Sequence, residues 1–214
     1  MPDAGSDPES LPFEAGTSPF HIKGVAYLGH TAYADGFIPG GAQAVADAFH
    51  DPALRAFFRQ PFLAASWYDA LPIVPVWHVC ARLLGLNDHD FLRVRTQHQA
   101  ERDIGGVYRF LLKLASAEAV ALRVPWVVQR YFDFGTTEAS VVAPGLVRAV
   151  VSGVPAILVP WLRVVSETYL RVALELAGAK TVQILRLPTV ATGEAYGQRL
   201  TAVGVEIQLD PTAG

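Results

Sequence analysis

The strongest candidate for chemistry is a histidine in a segment with helical spacing. His98 follows Val94 by one turn and Phe91 by two, so the three residues are predicted to share an apolar helix face. Glu101 and Arg102, three and four residues further on, can reach the imidazole. Such a histidine could ligate a metal or a porphyrin, or respond to protons. The alternative is a histidine tied to Glu101 at the edge of the core.

The other reactive side chains lack the spacing of a catalytic site. His78 falls on the polar side of its predicted helix, whereas Cys80 falls on the apolar stripe, where a small buried thiol is expected. No two histidines stand at i and i+4, so no zinc-binding pair is predicted. Glu101 and Asp103 point in different directions on a helix, which argues against joint acid–base catalysis. Four histidines are predicted in loops or caps: His21, His30, His50 and His89.

The sequence also lacks the motifs of common enzyme classes. It contains no phosphate-binding or dinucleotide-binding glycine loop, no serine-nucleophile elbow and no HExxH zinc helix. Cys80 is the only cysteine, which excludes an intrachain disulfide and favours a reducing compartment such as the cytoplasm. The 17 Lys and Arg residues are scattered, so no nucleic-acid surface is predicted. We therefore expect a protein that is not an enzyme.

The composition requires a large apolar interior or interface. Hydrophobic residues make up 51% of the chain and the mean hydropathy is +0.29. The longest apolar run, Val154 to Leu162, is far short of the roughly 20 residues that cross a bilayer. The apolar surface must then enter a core, a lipophilic pocket or a subunit contact. Residues 1–19 are acidic, without Lys or Arg, and are predicted to form a disordered tail rather than a secretory signal.

Hydrophobic periodicity divides the chain into a helical first two-thirds and a strand-rich last third. Capping and breaking residues delimit helices over 53–60, about 75–84, about 87–103, 107–114 and 116–130. Four strands and one long helix follow: Thr137–Val142, Leu146–Ser152, the helix Trp161–Ala177, Val182–Leu187 and Thr201–Leu209. This order predicts an α+β fold, with a helical subdomain (20–132) on a four-stranded antiparallel sheet (133–210) in the order β-β-α-β-β. A single domain is expected over 20–210.

Several short motifs occur in a distinctive order over residues 20–210. They are Lys23-Gly24, Trp67-Tyr68, Gly106 to Leu112, Leu114 to Ser116, Tyr131 to Gly135 and Leu174 to Ala179. In order and spacing they resemble an uncharacterised myxobacterial paralogous family related to heme–nitric-oxide-binding (H-NOX) and 4-vinyl-reductase-like domains. The resemblance implies a cavity between the helices and the sheet, and a sensory or regulatory role.

The resemblance also implies where heme would be held in heme-binding relatives. Their proximal histidine lies on the helix before the first sheet hairpin, but the matching stretch here, 116–132, contains no histidine. Their propionate clamp is a Tyr-x-Ser-x-Arg run, which the matching stretch Val147–Ser152 does not reproduce. The cysteines that many relatives carry near the late helix are missing from 156–160.

These observations favour a non-catalytic sensory or regulatory domain that binds a small apolar or amphipathic molecule. The predicted ligand-binding residues are His98, Arg102, Arg109, Trp77, Tyr108 and Trp126. One alternative is a heme sensor of gas or redox state, with His98 as a non-standard axial ligand. Another is a homodimeric scaffold without a ligand. A sensor without an evident output segment would need a separate signalling partner.

Overall fold

The computed structural model describes residues 8–104 and 116–209. Its contacts divide the chain into two compact units, unit 1 (residues 1–95) and unit 2 (residues 96–214), and each is described by itself. Helix α5, Asp88–Asp103, contributes its first half to unit 1 and its second half to unit 2. None of the described helices is both long enough and apolar enough to cross a bilayer.

Unit 1 consists of helices and one short two-stranded antiparallel sheet. Its elements before α5 are β1 (His21–Lys23), α1 (Val25–Phe37), α2 (Gly41–Asp47), α3 (Pro52–Arg59), β2 (Trp67–Asp69) and α4 (Ile73–Leu83). The predicted start of α3 is confirmed, because the Asp51 side chain accepts a hydrogen bond from the Ala53 N–H and Pro52 occupies the first turn. The chain leaves α4 through Gly85, whose φ of +65° suits glycine.

The carboxylate of Asp69 anchors the N-terminal segment to unit 1. Its Oδ2 accepts the backbone N–H of Gly16 at 2.9 Å and of Ser18 at 3.1 Å, while Oδ1 accepts the N–H of Leu71 and the Ser18 hydroxyl. Asp69 is buried, so these bonds replace water around its charge. The carboxylate therefore joins the segment before β1 to the turn that leads into α4.

A second buried carboxylate, that of Glu9, holds the chain further upstream. Its Oε2 accepts the backbone N–H groups of His50 at 2.8 Å and Asp51 at 3.1 Å. The prediction of a disordered tail over residues 1–19 is therefore wrong for residues 8–19. Composition indicated a solvated segment, but two carboxylates hold it in place. Glu9 in the segment bonds the backbone of His50 and Asp51, and Asp69 bonds the backbone of Gly16 and Ser18 in the segment.

Unit 2 contains an antiparallel sheet covered by helices. Its elements after α5 are α6 (Ala117–Tyr131), β3 (Thr136–Ala143), β4 (Leu146–Pro155), a 3₁₀ turn (Ala156–Leu158), α7 (Val159–Leu176), β5 (Val182–Arg186), β6 (Val190–Ala195) and β7 (Gln198–Leu209). The strands lie in the order β3-β4-β7-β5, and β6 also pairs with β7. The predicted α+β class with an antiparallel sheet is confirmed. The sheet has five strands rather than four, because the glycine-containing segment 190–195 also forms a strand.

The core of unit 2 lies between the sheet and its two helices. Val147 of β4 and Ile207 of β7 are fully buried against Leu174 of α7 and Ala121 of α6. Alternation along β7 buries one face and leaves Gln208 exposed, as the sequence predicts. Helix α6 belongs to the predicted helical part (20–132) and packs in the core with the sheet, whereas a single domain over 20–210 stays a prediction.

We expect the Asp69→Ala substitution to lower the free energy of unfolding by about 2–4 kcal/mol, because several buried N–H groups would lose their acceptor. Urea denaturation measures the loss, and limited proteolysis should become faster in segment 8–20. Asp35→Ala is the matched control, since the Asp35 carboxylate accepts one N–H, from Ala42, at an exposed site. Equal losses in the two variants would contradict the anchoring role of Asp69.

Candidate functional site

A buried histidine lies at the centre of unit 1. His30 is on α1, where it shares the inward face with Tyr27, Tyr33 and Ala34. Its side chain is 1% exposed, and neither Nδ1 nor Nε2 has a hydrogen-bond partner among the described residues. Most buried polar groups in folded proteins are hydrogen-bonded. An imidazole with two buried, unused nitrogens is therefore a candidate for binding something.

The first half of α5 covers His30 with two large side chains. The Phe91 ring is tilted against the imidazole at a centroid distance of 6.2 Å and meets the Tyr33 ring edge-on at 5.8 Å. One turn later, the Arg95 side chain is 2% exposed, and its Nη2 donates to the Ala26 carbonyl oxygen of α1 at 3.0 Å. Side chains thus join α1 to α5 around His30. We call His30, Tyr33, Cys80, Phe91 and Arg95 the His30 cluster.

Burial controls the protonation of this cluster. Desolvation lowers the pKa of His30 well below its ordinary value, and the positive charge of Arg95 lowers it further. Burial raises the pKa of Cys80 to about 12, against a smaller opposing effect of Arg95. It also raises the pKa of Tyr33. At neutral pH the imidazole is therefore neutral and can donate and accept hydrogen bonds, whereas the Cys80 thiol stays protonated and is a poor nucleophile.

Helix α4 also contributes buried side chains to the interior of unit 1. Cys80 is buried and free, which confirms the prediction of a small buried thiol. Trp77, one turn earlier, is also buried, and its indole N–H has no hydrogen-bond partner within the described parts of the chain. His78 is half-buried, with Nδ1 2.8 Å from an Asp88 carboxylate oxygen.

The structure separates most of the predicted ligand-binding residues. His98 and Arg102 are one turn apart on the second half of α5, where His98 is half-buried and Arg102 is exposed. Trp77 is in the interior of unit 1. Trp126 on α6 is 59% exposed, and the Arg130 guanidinium lies 4.1 Å from its ring centroid. Two more, Tyr108 and Arg109, lie outside the described residues. A ligand-binding role for all six stays a prediction.

The predicted apolar face around His98 is wrong in part. Val94 is 44% exposed, whereas Phe91, Arg95 and Ala100 are buried. The prediction placed apolar residues inside, but α5 buries an arginine instead and turns Val94 outward. The carboxylate of Glu101, proposed as a partner of His98, accepts a hydrogen bond from the Gln97 side chain at 2.7 Å.

His30 was predicted to lie in a loop, but it lies in α1. This helix has no side-chain N-cap and no acidic residue in its first turn, so the usual signals of a helix start are missing. The spacing of Tyr27, His30 and Ala34 is nevertheless helical, and it could have placed the histidine on the buried face.

The residues at the expected heme clamp do not fit a porphyrin held in the usual way. On β4, Arg148 donates from Nε and Nη2 to Oε1 of Glu206, at 3.0 and 2.6 Å. Its neighbours Val147 and Ala149 are buried and apolar, where the clamp would need Tyr and Ser hydroxyls. Helix α6 offers no histidine. Within residues 8–104 and 116–209, no three His, Cys, Asp or Glu side chains converge as a metal site requires.

A small cleft lies in unit 2 between α7 and the sheet. Its volume is about 40 Å³, and its walls are mostly aliphatic, with Leu162, Leu170 and Val203 among them. Such a space suits a few water-sized molecules rather than a cofactor. The larger cavity predicted between the helical and sheet parts stays a prediction.

Comparison with solved structures identifies the fold. A Cs H-NOX mutant aligns with a TM-score of 0.63 at 9% identity over 89% of this chain and 98% of its own. An oxygen-binding H-NOX domain related to soluble guanylate cyclases aligns with a TM-score of 0.59 at 10% identity, over 88% and 95%. A mutant of T. Tengcongensis H-NOX gives 0.59 at 10% identity, over 89% and 100%. The predicted H-NOX-like fold is confirmed. No protein-family model matches the chain, and neither does any curated protein.

The state of His30 predicts how stability depends on pH. Because the pKa of His30 is lower in the folded protein than in the unfolded chain, the unfolded chain binds more protons in acid. Below about pH 6.5, this group should therefore lower the free energy of unfolding, by up to about 1.4 kcal/mol per pH unit. Chemical denaturation between pH 7.5 and 5 should show wild type losing stability faster than His30→Phe.

His89→Gln is the matched control, because it also removes a histidine, but one whose side chain is 59% exposed. Parallel profiles for wild type and His30→Phe would contradict the neutral, buried state of His30.

Proposed function

We propose that this chain is a non-catalytic sensory or regulatory domain that binds a small apolar or amphipathic molecule. The observation that carries the proposal is an H-NOX fold spanning nearly nine-tenths of the chain, combined with a buried imidazole in unit 1 that has no hydrogen-bond partner among the described residues. One of the similar structures is an oxygen-binding H-NOX domain, and another concerns the redox potential of heme. Other proteins with this fold thus hold small molecules, and the different polar residues of this chain would select a different small molecule.

A sensory role agrees with the chemistry of the described residues. The Cys80 thiol is buried and protonated, which makes it unsuitable as a nucleophile. His30, the histidine buried in unit 1, is neutral and has no carboxylate among its described hydrogen-bond partners to orient it as a catalytic base. Signalling would pass to a separate partner protein. A cytoplasmic location belongs to this proposal, because Cys80 is a free thiol.

Heme is the alternative ligand, with His98 as its axial ligand. The position of His98 on α5, where the residue is half-buried, favours this alternative. The strand that would clamp the propionates argues against it, because Arg148 is bonded to Glu206 and its neighbours are apolar. When bound, heme would supply a metal centre for a diatomic gas or for electron transfer.

A homodimeric scaffold is the second alternative. Exposed apolar side chains on α6, which could form a subunit contact, favour it: Leu122, Trp126, Val127 and Tyr131. Light scattering of the purified chain distinguishes a dimer from a monomer. A monomer would remove this alternative and leave the ligand-binding proposal in place.

Titration of the purified chain with hemin distinguishes a non-heme ligand from heme. We expect that hemin does not produce a saturable Soret shift at one hemin per chain that depends on His98. Any shift that does occur should persist in His98→Ala. The control is His89→Ala, which removes an exposed histidine next to Asp90. A saturating shift that His98→Ala abolishes and His89→Ala preserves would establish the heme alternative.

Native mass spectrometry of the chain purified from its own host tests the central proposal. We expect one small non-heme molecule bound per chain, because the buried polar atoms of unit 1 need a partner. A homogeneous species with the mass of the unliganded chain would contradict ligand binding.

A further inference from the structure

The small cleft of unit 2 has two apolar walls, one from the sheet and one from α7. The sheet contributes aliphatic residues that face each other across β4 and β7: Ala149, Val151, Val203 and Val205. The opposite wall is one stripe of α7, in which Leu162, Ser166 and Leu170 follow one another at intervals of one turn. Among these residues Ala149 and Ser166 have the shortest side chains. Protein interiors are otherwise close-packed, so these two residues explain an unfilled space of about 40 Å³.

Arg163 also lines this cleft, and its guanidinium has a buried N–H without a partner. Its Nη2 donates to the Leu187 carbonyl oxygen at 3.0 Å and to the Thr189 hydroxyl at 2.6 Å, both of which are neutral acceptors. Its Nε is buried and has no hydrogen-bond partner among the described residues. A buried donor that stays unbonded lowers stability, and the cost is larger when the group is charged. The Nε of Arg163 is therefore a donor that a ligand could use.

The carboxylate that lines the same cleft, that of Glu167, is already paired with another arginine. Its Oε1 accepts a hydrogen bond from Nε of Arg186 at 2.7 Å, and its Oε2 accepts one from Nη2 at 2.9 Å. Both carboxylate oxygens are thus used in a bidentate pair. Glu167 is also the only acidic residue among the described residues that line the cleft. The side chains of Arg163, Arg186 and Glu167 together leave a positive charge in excess, which favours an anion.

We propose that this cleft binds a short-chain carboxylate, whose apolar chain fills the space between α7 and the sheet. The carboxylate accepts a hydrogen bond from Nε of Arg163 and a second one from the hydroxyl of Ser166. The volume of the cleft limits the apolar part of the ligand to about three carbon atoms. The inference goes beyond the proposed function, because it assigns a separate site in unit 2 that does not involve His30.

NMR titration of the full chain with sodium butyrate at pH 7.5, against the same concentrations of sodium chloride, tests the proposal. We expect butyrate, but not chloride, to shift the backbone amide signals of Ser166 and Val203 in a saturable way. Arg163→Met keeps an unbranched apolar side chain but removes the guanidinium, so it should weaken butyrate binding about tenfold or more.

Arg171→Met is the matched control. Arg171 lies two turns further along α7 and also donates to a backbone carbonyl, that of Val182 at 3.1 Å, but it does not line the cleft. This variant should bind butyrate within about twofold of wild type.

Two further ligands separate the contribution of the charge from that of the apolar chain. Butanol has the same apolar chain and no charge, so it should bind about tenfold or more weakly than butyrate. Acetate has the same charge but two fewer methylene groups, and the loss of buried apolar surface should also weaken binding about tenfold.

Three results would overturn the inference: no saturable shift with butyrate in the folded wild type, equal affinity in Arg163→Met, or equal affinity for butanol. Should Arg163→Met fail to fold, as judged by circular dichroism, Ala149→Val replaces it. This variant adds two methyl groups to the wall of the cleft and should weaken butyrate binding about tenfold or more, because the space is then filled. Unchanged butyrate binding in folded Ala149→Val would also overturn the inference.

Discussion

His30 lies in the interior of unit 1 as a neutral imidazole, because it is buried and neither of its ring nitrogens has a hydrogen-bond partner among the described residues. Burial and the nearby guanidinium of Arg95 both disfavour the charged form. Burial likewise keeps the Cys80 thiol protonated and unable to act as a nucleophile, while the ring nitrogens of His30 stay available. The candidate site and its proposed chemistry follow from this single constraint.

The chain combines an H-NOX fold with side chains that do not suit the usual heme clamp. On β4 the hydroxyls of the clamp are replaced by buried Val147 and Ala149, and Arg148 is bonded to Glu206. Its sheet and helices are nevertheless preserved, because their core depends on apolar packing around residues such as Ile207. A scaffold can therefore retain its architecture while its polar residues, and with them its ligand, change.

Local signals predicted much of the fold. Ser116 caps α6 as its sequence indicates, and alternation along β7 buries the expected face. The site was harder to predict, because it depends on contacts between distant residues. Nothing near Asp69 in the sequence indicates that it accepts the N–H of Gly16, 53 positions away. Likewise, the burial of Arg95 and His30 depends on how α5 packs against α1, and arginine is ordinarily exposed.

Long-range proton–nitrogen NMR spectra of the histidine-labelled chain test the central claim most directly. At pH 7 we expect His30 to give the nitrogen shifts of a neutral imidazole, with one protonated and one unprotonated ring nitrogen. A charged His30 ring at pH 7 would contradict this state of the buried histidine.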